Sequence, residues 1–205
     1  MSAFDKNVFI NCPFDDDYRQ LLLSLVFTTK FLGFIPRLTL EKSDSGITRI
    51  ANIINLIESS KFGIHDLSRI LSSKEGEHAR MNMPFELGVD FGCKQFKSGK
   101  WAGKKILILE KEKYRIQAAL SDLSGSDIKN HNNEPMDLVL AVKNWFVTEE
   151  LNTGPSHKKI WYDFNDFSSD LAERLEDEGH EPADYDQVQI SEVMAYMDIW
   201  FKNHA

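Results

Sequence analysis

Lys105-Ile106-Leu107-Ile108-Leu109-Glu110 is a short apolar run with a charge at each end. It is too short for a stable helix and rich in residues that pack on a pleated surface, so it reads as a buried strand. Working back along the chain, Lys61-Phe62-Gly63-Ile64-His65-Asp66-Leu67 reads the same way, with Ser68 and Arg69 at its exit. Phe34 to Leu40 is a further strand, and Pro36 within it indicates an edge position. Asn7-Val8-Phe9-Ile10-Asn11-Cys12 is the first, opening at Pro13 into a loop that carries Asp15, Asp16 and Asp17.

Helical spacing fills the intervals. Leu21, Leu22, Leu25 and Val26 form a stripe between about Tyr18 and Phe31, closed by Gly33. Ile50, Ile53, Ile54 and Ile57 give the inner stripe of a helix from about Ile47 to Ser59. Strands alternating with helices indicate parallel βαβ units with right-handed crossovers. Ligands bind such sheets outside the carboxyl ends of the strands. That edge collects Asn11 to Tyr18, Glu41 to Gly46, Asp66 to Arg69 and the start of one more helix.

That helix lies in Arg80-Met81-Asn82-Met83-Pro84-Phe85-Glu86-Leu87-Gly88-Val89-Asp90-Phe91-Gly92. Pro84 suits a first turn, with Asn82 or Met83 as the cap, and Glu86 then sits near the positive end of the helix dipole. Leu87, Phe91 and Cys93 supply a buried face, while Gly88 and Gly92 leave room for a neighbouring backbone or a flat ligand.

Beyond Glu110 the expected order is a helix over Tyr114 to Leu123, a polar loop over Gly125 to Glu134, and a helix over Pro135 to Glu150. A linker, Leu151 to Ser156, precedes two helices, Phe164 to Asp177 and Gln187 to Asn203. The expected division is an α/β domain over residues 1–125 and a helical extension over 126–205 packed on it. Between Asp163 and Asp186 stand ten acids against one arginine, a solvated face or a protein-binding surface. Trp161, Tyr162, Phe164 and Phe167 are expected to dock the extension.

The 205 residues suit one domain with an appendage, and 42% hydrophobic content with 14 Phe marks a globular chain. A net charge of −8 argues against a nucleic-acid partner. Neither a leader pattern nor a bilayer-length apolar stretch stands in the sequence, so a cytoplasmic protein without a membrane partner is expected. Cys12 and Cys93 lack disulfide or zinc spacing and read as small buried filler. With no Gly-x-Gly-x-x-Gly, phosphate-loop lysine or His-x-x-x-His, neither a resident cofactor nor a metal is expected.

Val8-Phe9-Ile10 opening on a polar loop, His65-Asp66-Leu67-Ser68-Arg69 and Phe85-Glu86-Leu87-Gly88 together resemble the superfamily of Toll/interleukin-1-receptor (TIR) domains and nucleoside 2-deoxyribosyltransferases. Val8 to Phe14, Asp44-Ser45-Gly46, Gly63 to Arg69 and Asn82 to Gly88 resemble bacterial TIR-like proteins, some linked to defence. The resemblance covers roughly residues 7–110. It implies a flavodoxin-like, TIR-like parallel sheet of four to five strands flanked by helices, with the C-terminal helices appended. It also implies an N-glycosidase with Glu86 as the key carboxylate, a nucleotide substrate and self-association. The chain departs from the transferase pattern, which has Asp and Gly-Thr before its Glu, and from the TIR pattern, which has a Trp-Cys pair there.

Cleavage of an N-glycosidic bond passes through an oxocarbenium-like state that a carboxylate stabilises. Nicotinamide leaves NAD(P) without needing a proton, so one Glu suffices; a nucleoside base needs a second acid, for which Asp66 and Asp44 are candidates. Alternation puts Ile64 and Asp66 on one face of their strand and His65 on the other, and Asp66 is preferred for the site. Arg49 and Arg69 are candidate phosphate ligands or surface ion pairs, and Phe14 and Tyr18 stack on a base or belong to the core. Asn11, Asp44, Ser45, Gly46, Ser68 and Asn82 complete the candidate substrate-binding set. The readings are thus an NAD(P) glycohydrolase or cyclase, suited to anti-phage defence; a nucleoside or nucleotide hydrolase or deoxyribosyltransferase; and a non-catalytic nucleotide- or protein-binding module.

Overall fold

A computed structural model describes residues 2–41, 44–70, 81–116 and 120–204. Five strands, β1 (Asn7–Asn11), β2 (Ile35–Arg37), β3 (Phe62–Asp66), β4 (Lys105–Glu110) and β5 (Lys129–Asn130), form one sheet in the order β2-β1-β3-β4-β5. Every pairing is parallel. This is the flavodoxin-like strand order, whose direction of winding reverses between β1 and β3. Pro36 lies in the edge strand β2, where its missing N–H costs the sheet nothing.

The helices are α1 (Ala3–Lys6), α2 (Arg19–Phe31), α3 (Arg49–Glu58), α4 (Asn82–Phe96), α5 (Pro135–Phe146), α6 (His157–Asp177) and α7 (Ile190–Asn203). One sheet face carries Val8, Ile10, Phe62, Ile64, Leu107 and Leu109 against α2 and α5. The opposite face packs Phe9 against Ile53, Leu56 and Ile57 of α3, and Ile108 against Met83 and Leu87 of α4. Gly33, at φ +82°, lets the chain turn from α2 into β2.

Several local expectations need correction. In α3, which starts at Arg49 behind a Thr48 cap that accepts from Ala51 N–H, the inner stripe is Ile53, Leu56 and Ile57, the face that packs on Phe9, while Ile50 and Ile54 are exposed. In α4 the residue preceding the helix is Met81, with no side-chain cap. Its buried stripe is Met83, Glu86, Leu87 and Asp90, with Phe91 and Cys93 only half-buried. A methyl group at Gly88 would meet nothing within 4 Å, and one at Gly92 would meet only Phe96 of the same helix, so no neighbouring backbone approaches either glycine.

No helix spans Tyr114 to Leu123 among the described residues: Tyr114 has φ +65° in a turn, and Ser121–Leu123 is a single 3-10 turn. Residues 117–119 lie outside the described residues. The expected polar loop contains β5, which joins the sheet beyond residue 125, where the sequence suggested that the α/β domain ends. α5 also packs directly on α2, so the first of the C-terminal helices belongs to the sheet's own covering layer. α6 begins at His157, earlier than the acid-rich part of the stretch suggested, behind a Ser156 cap. Its Phe164 and Phe167 meet Phe27 of α2, as does Phe201 of α7 at 4.9 Å. Tyr162 is exposed and docks nothing in the core. Among the described residues no helix is long and apolar enough to cross a membrane.

Candidate functional site

The carboxyl ends of β1 and β3 part at the point where the winding reverses, and a hollow of about 380 Å³ opens there. Asn11 and Cys12 come from the end of β1, Phe14 and Asp15 from the following loop, Arg49 from the start of α3, and Asn82, Met83 and Glu86 from the first turns of α4. Pro84, which has no N–H, lies in the first turn of α4, where an N–H would lack an intrahelical partner, and Phe85 N–H donates to Met81 O at 3.1 Å.

Glu86 is 4% exposed. Its Oε1 accepts from Arg49 Nη2 at 3.5 Å, a long contact from a side chain that is itself 61% exposed. Burial pushes the Glu86 carboxyl above its ordinary 4.5, while the charge of Arg49 pulls the other way. The carboxylate is therefore desolvated, held on one side by a movable cation, and open to the hollow on the other.

Arg49 also lines a second hollow, of about 350 Å³, with Asp44, Ser45 and Asn52. Gly46 is not among its lining residues, and its N–H donates to Asp44 Oδ1 at 2.9 Å. Asp44 is thus part of a neighbouring compartment and does not line the hollow of Glu86.

Asp66 is not in the site. It faces α2 and the chain after β4, on the side of the sheet opposite to Glu86, and is wholly buried. Tyr18 Oη donates to its Oδ2 at 2.5 Å, Ser68 N–H donates to its Oδ1 at 2.9 Å, and His131 Nε2 stands 2.9 Å from Oδ2. Burial alone would raise its pKa, yet His131, Ser68 and Tyr18 together hold it below the ordinary 3.8. It is a sealed structural carboxylate.

Tyr18 is fully buried and committed to Asp66, so it cannot stack on a ligand. Ser68 is buried in the same cluster, its carbonyl accepting from Arg115, which also binds the buried Glu110 at 3.0 Å. Arg69 pairs with Asp15 at 3.4 Å at the rim. Cys12 lines the hollow, and burial pushes its thiol well above 9.0, which disfavours the nucleophilic thiolate.

Beneath Glu86 lies a network that the sequence reading did not assemble. Asn11 Nδ2 donates to Met83 O at 3.0 Å and lies 3.1 Å from His65 Nδ1. His65 Nε2 meets Asp90 Oδ2 at 3.0 Å, and Asp90 Oδ1 is 3.1 Å from Lys104 Nζ. Lys104 Nζ also donates to the carbonyls of Ile57 and Ser60. The available signal was helical: Glu86 and Asp90 are four apart and share a face. Among the described residues no group of three or more His, Cys, Asp or Glu is arranged to hold a metal.

No protein-family model, curated protein or solved structure gives a significant match to this chain.

Proposed function

We propose that the protein is a TIR-like N-glycosidase that cleaves the nicotinamide-ribose bond of NAD(P), as a hydrolase or cyclase, with Glu86 as the carboxylate that meets the developing oxocarbenium ion. The supporting observation is a desolvated carboxylate on a hollow that, among the described residues, has no second acid poised opposite it. The other carboxylate lining that hollow, Asp15, is paired with Arg69. Of the two candidate proton donors for a nucleoside base, Asp66 is sealed away with a depressed pKa, and Asp44 lines the neighbouring hollow. Nicotinamide departs as a neutral base from a cationic glycoside, so this chemistry requires no acid.

Arg49 suits the diphosphate: it lines both hollows, and its guanidinium can leave Glu86 to bind phosphate oxygens in a bidentate manner. The nicotinamide riboside half then occupies the hollow of Glu86 and Phe14, and the other nucleoside half the hollow of Asp44 and Ser45. A role as a defence effector that depletes NAD follows from the resemblance alone.

The test is incubation of purified protein with NAD, NADP and a panel of nucleosides, with products followed by chromatography. Nicotinamide release that falls by about 10²- to 10³-fold in Glu86→Gln supports the reading. Base release from nucleosides with NAD untouched would replace it with nucleoside hydrolysis or transfer.

A further inference from the structure

We propose that His65 is the positioning residue for Glu86, fixing from beneath the turn of α4 that presents the carboxylate; the proposal rests on the Glu86 reading above. Met83 lies three residues before Glu86, and Asp90 lies four after it. Two linked side chains tie them to the sheet: Asn11 holds Met83 O, and His65, bonded to Asn11, holds Asp90. The Asn11 amide has two hydrogens, one directed to Met83 O and one to His65 Nδ1. His65 Nδ1 is therefore an acceptor, the ring proton sits on Nε2, and it donates to Asp90 Oδ2.

The rest of the chain of contacts makes this arrangement unambiguous. Lys104 neutralises the far oxygen of Asp90 and is itself anchored by two backbone carbonyls. Asn11, His65, Asp90 and Lys104 are all buried. α4 approaches β3 so closely that a methyl group on Gly63 would lie 2.1 Å from Asp90 Oδ2. Apolar side chains could fill the same space without the cost of desolvating two charges. What they could not supply is direction: hydrogen bonds fix the rotation and height of a helix that apolar contacts alone leave free to slide. A carboxylate displaced by 1 Å from its reacting carbon loses on the order of 10²-fold in rate.

The experiment compares His65→Phe and His65→Gln with Phe9→Leu, a neighbouring core change that removes no hydrogen bond. Phe9 packs edge-on against the His65 ring, with centroids 5.7 Å apart. Thermal melts establish the stability lost by each. For nicotinamide release from NAD, His65→Phe is expected to lower kcat about 100-fold with KM changed by less than about 3-fold. His65→Gln, which keeps an amide donor and acceptor, recovers part of that loss and carries the test if the Phe variant does not fold. Phe9→Leu keeps its kcat.

A second arm needs no activity. The Glu86 carboxyl is followed by carbon-13 NMR in glutamate-labelled protein and assigned by its disappearance in Glu86→Gln. Its titration midpoint is expected to move in the His65 variants and to stay in place in Phe9→Leu. Equal kcat losses in His65 and Phe9 variants of matched stability, or an unmoved Glu86 titration in the His65 variants, would overturn the proposal. If the wild-type protein releases no nicotinamide, the proposed activity fails, while the titration still decides whether His65 places Glu86.

Discussion

Glu86 and Asp66 are both almost wholly buried carboxylates near the carboxyl edge of one sheet, yet their surroundings differ in kind. Asp66 is surrounded by a phenol, a backbone N–H and an imidazole, and these outweigh the cost of burial. Glu86 has one long contact to an exposed guanidinium and a hollow in front of it, and burial dominates. A carboxylate that is fully satisfied contributes to the fold; one left under-solvated is poised to interact with a ligand, at a cost to stability. Burial by itself does not separate the two roles. The number of donors reaching each oxygen does.

The comparison is sharpened first by breaking the most buried charge pair. Lys104→Met leaves Asp90 without its cation and is expected to cost about 3–5 kcal/mol in chemical denaturation. Replacing the carboxylates one at a time should then split stability from chemistry. Glu86→Gln should remove nicotinamide release while leaving unfolding free energy unchanged or higher by up to about 1 kcal/mol. Asp66→Asn should do the reverse, lowering stability by about 1–3 kcal/mol while the rate per folded molecule stays within about 2-fold. Loss of activity in a folded Asp66→Asn protein would break the comparison.

The pH dependence carries opposite signs for the two groups. The pKa of Asp66 is lowered in the folded state, so its stabilisation is complete above 3.8 and is lost as the pH falls through its folded value. The pKa of Glu86 is raised, so its charged form disfavours folding, and that penalty grows as the pH rises from 4.5 through its folded value. Denaturation midpoints measured between pH 3 and 7 should show the acid-side slope flattened in Asp66→Asn and the opposing contribution removed in Glu86→Gln. The smallest effect is the shift of the pH midpoint in Arg49→Gln, separate from the weaker NAD binding that loss of the diphosphate ligand brings. Nicotinamide release in the wild type should rise with pH through a midpoint above 4.5, and loss of the Arg49 charge should move that midpoint higher.

The first four strands were legible because each lies within a short, largely apolar run bounded by turn residues, a pattern set by local burial. The candidate hollow was legible in part. Glu86, Asn11, Phe14, Arg49 and Asn82 meet there because they stand at the ends of elements whose order the sequence reveals. Asp66 was misread for the same reason: alternation separates it from His65, but does not say which face α4 will cover. Ile50 and Ile54 were misread because the isoleucine spacing leaves the buried face open, and packing of Ile53, Leu56 and Ile57 on Phe9 selected it. β5 is two residues long and polar, too short to carry any period of its own.

By itself the sequence determined an alternating α/β chain, its edge strand and a carboxylate near the start of a helix, since these depend on patterns within a few residues. Tertiary structure alone decided which carboxylate is open and which is sealed. It also joined Asn11, His65, Asp90 and Lys104, which are up to 93 residues apart in the chain, into one buried network. Desolvation and hydrogen-bond satisfaction are set by neighbours across the sheet, and no local spacing encodes them.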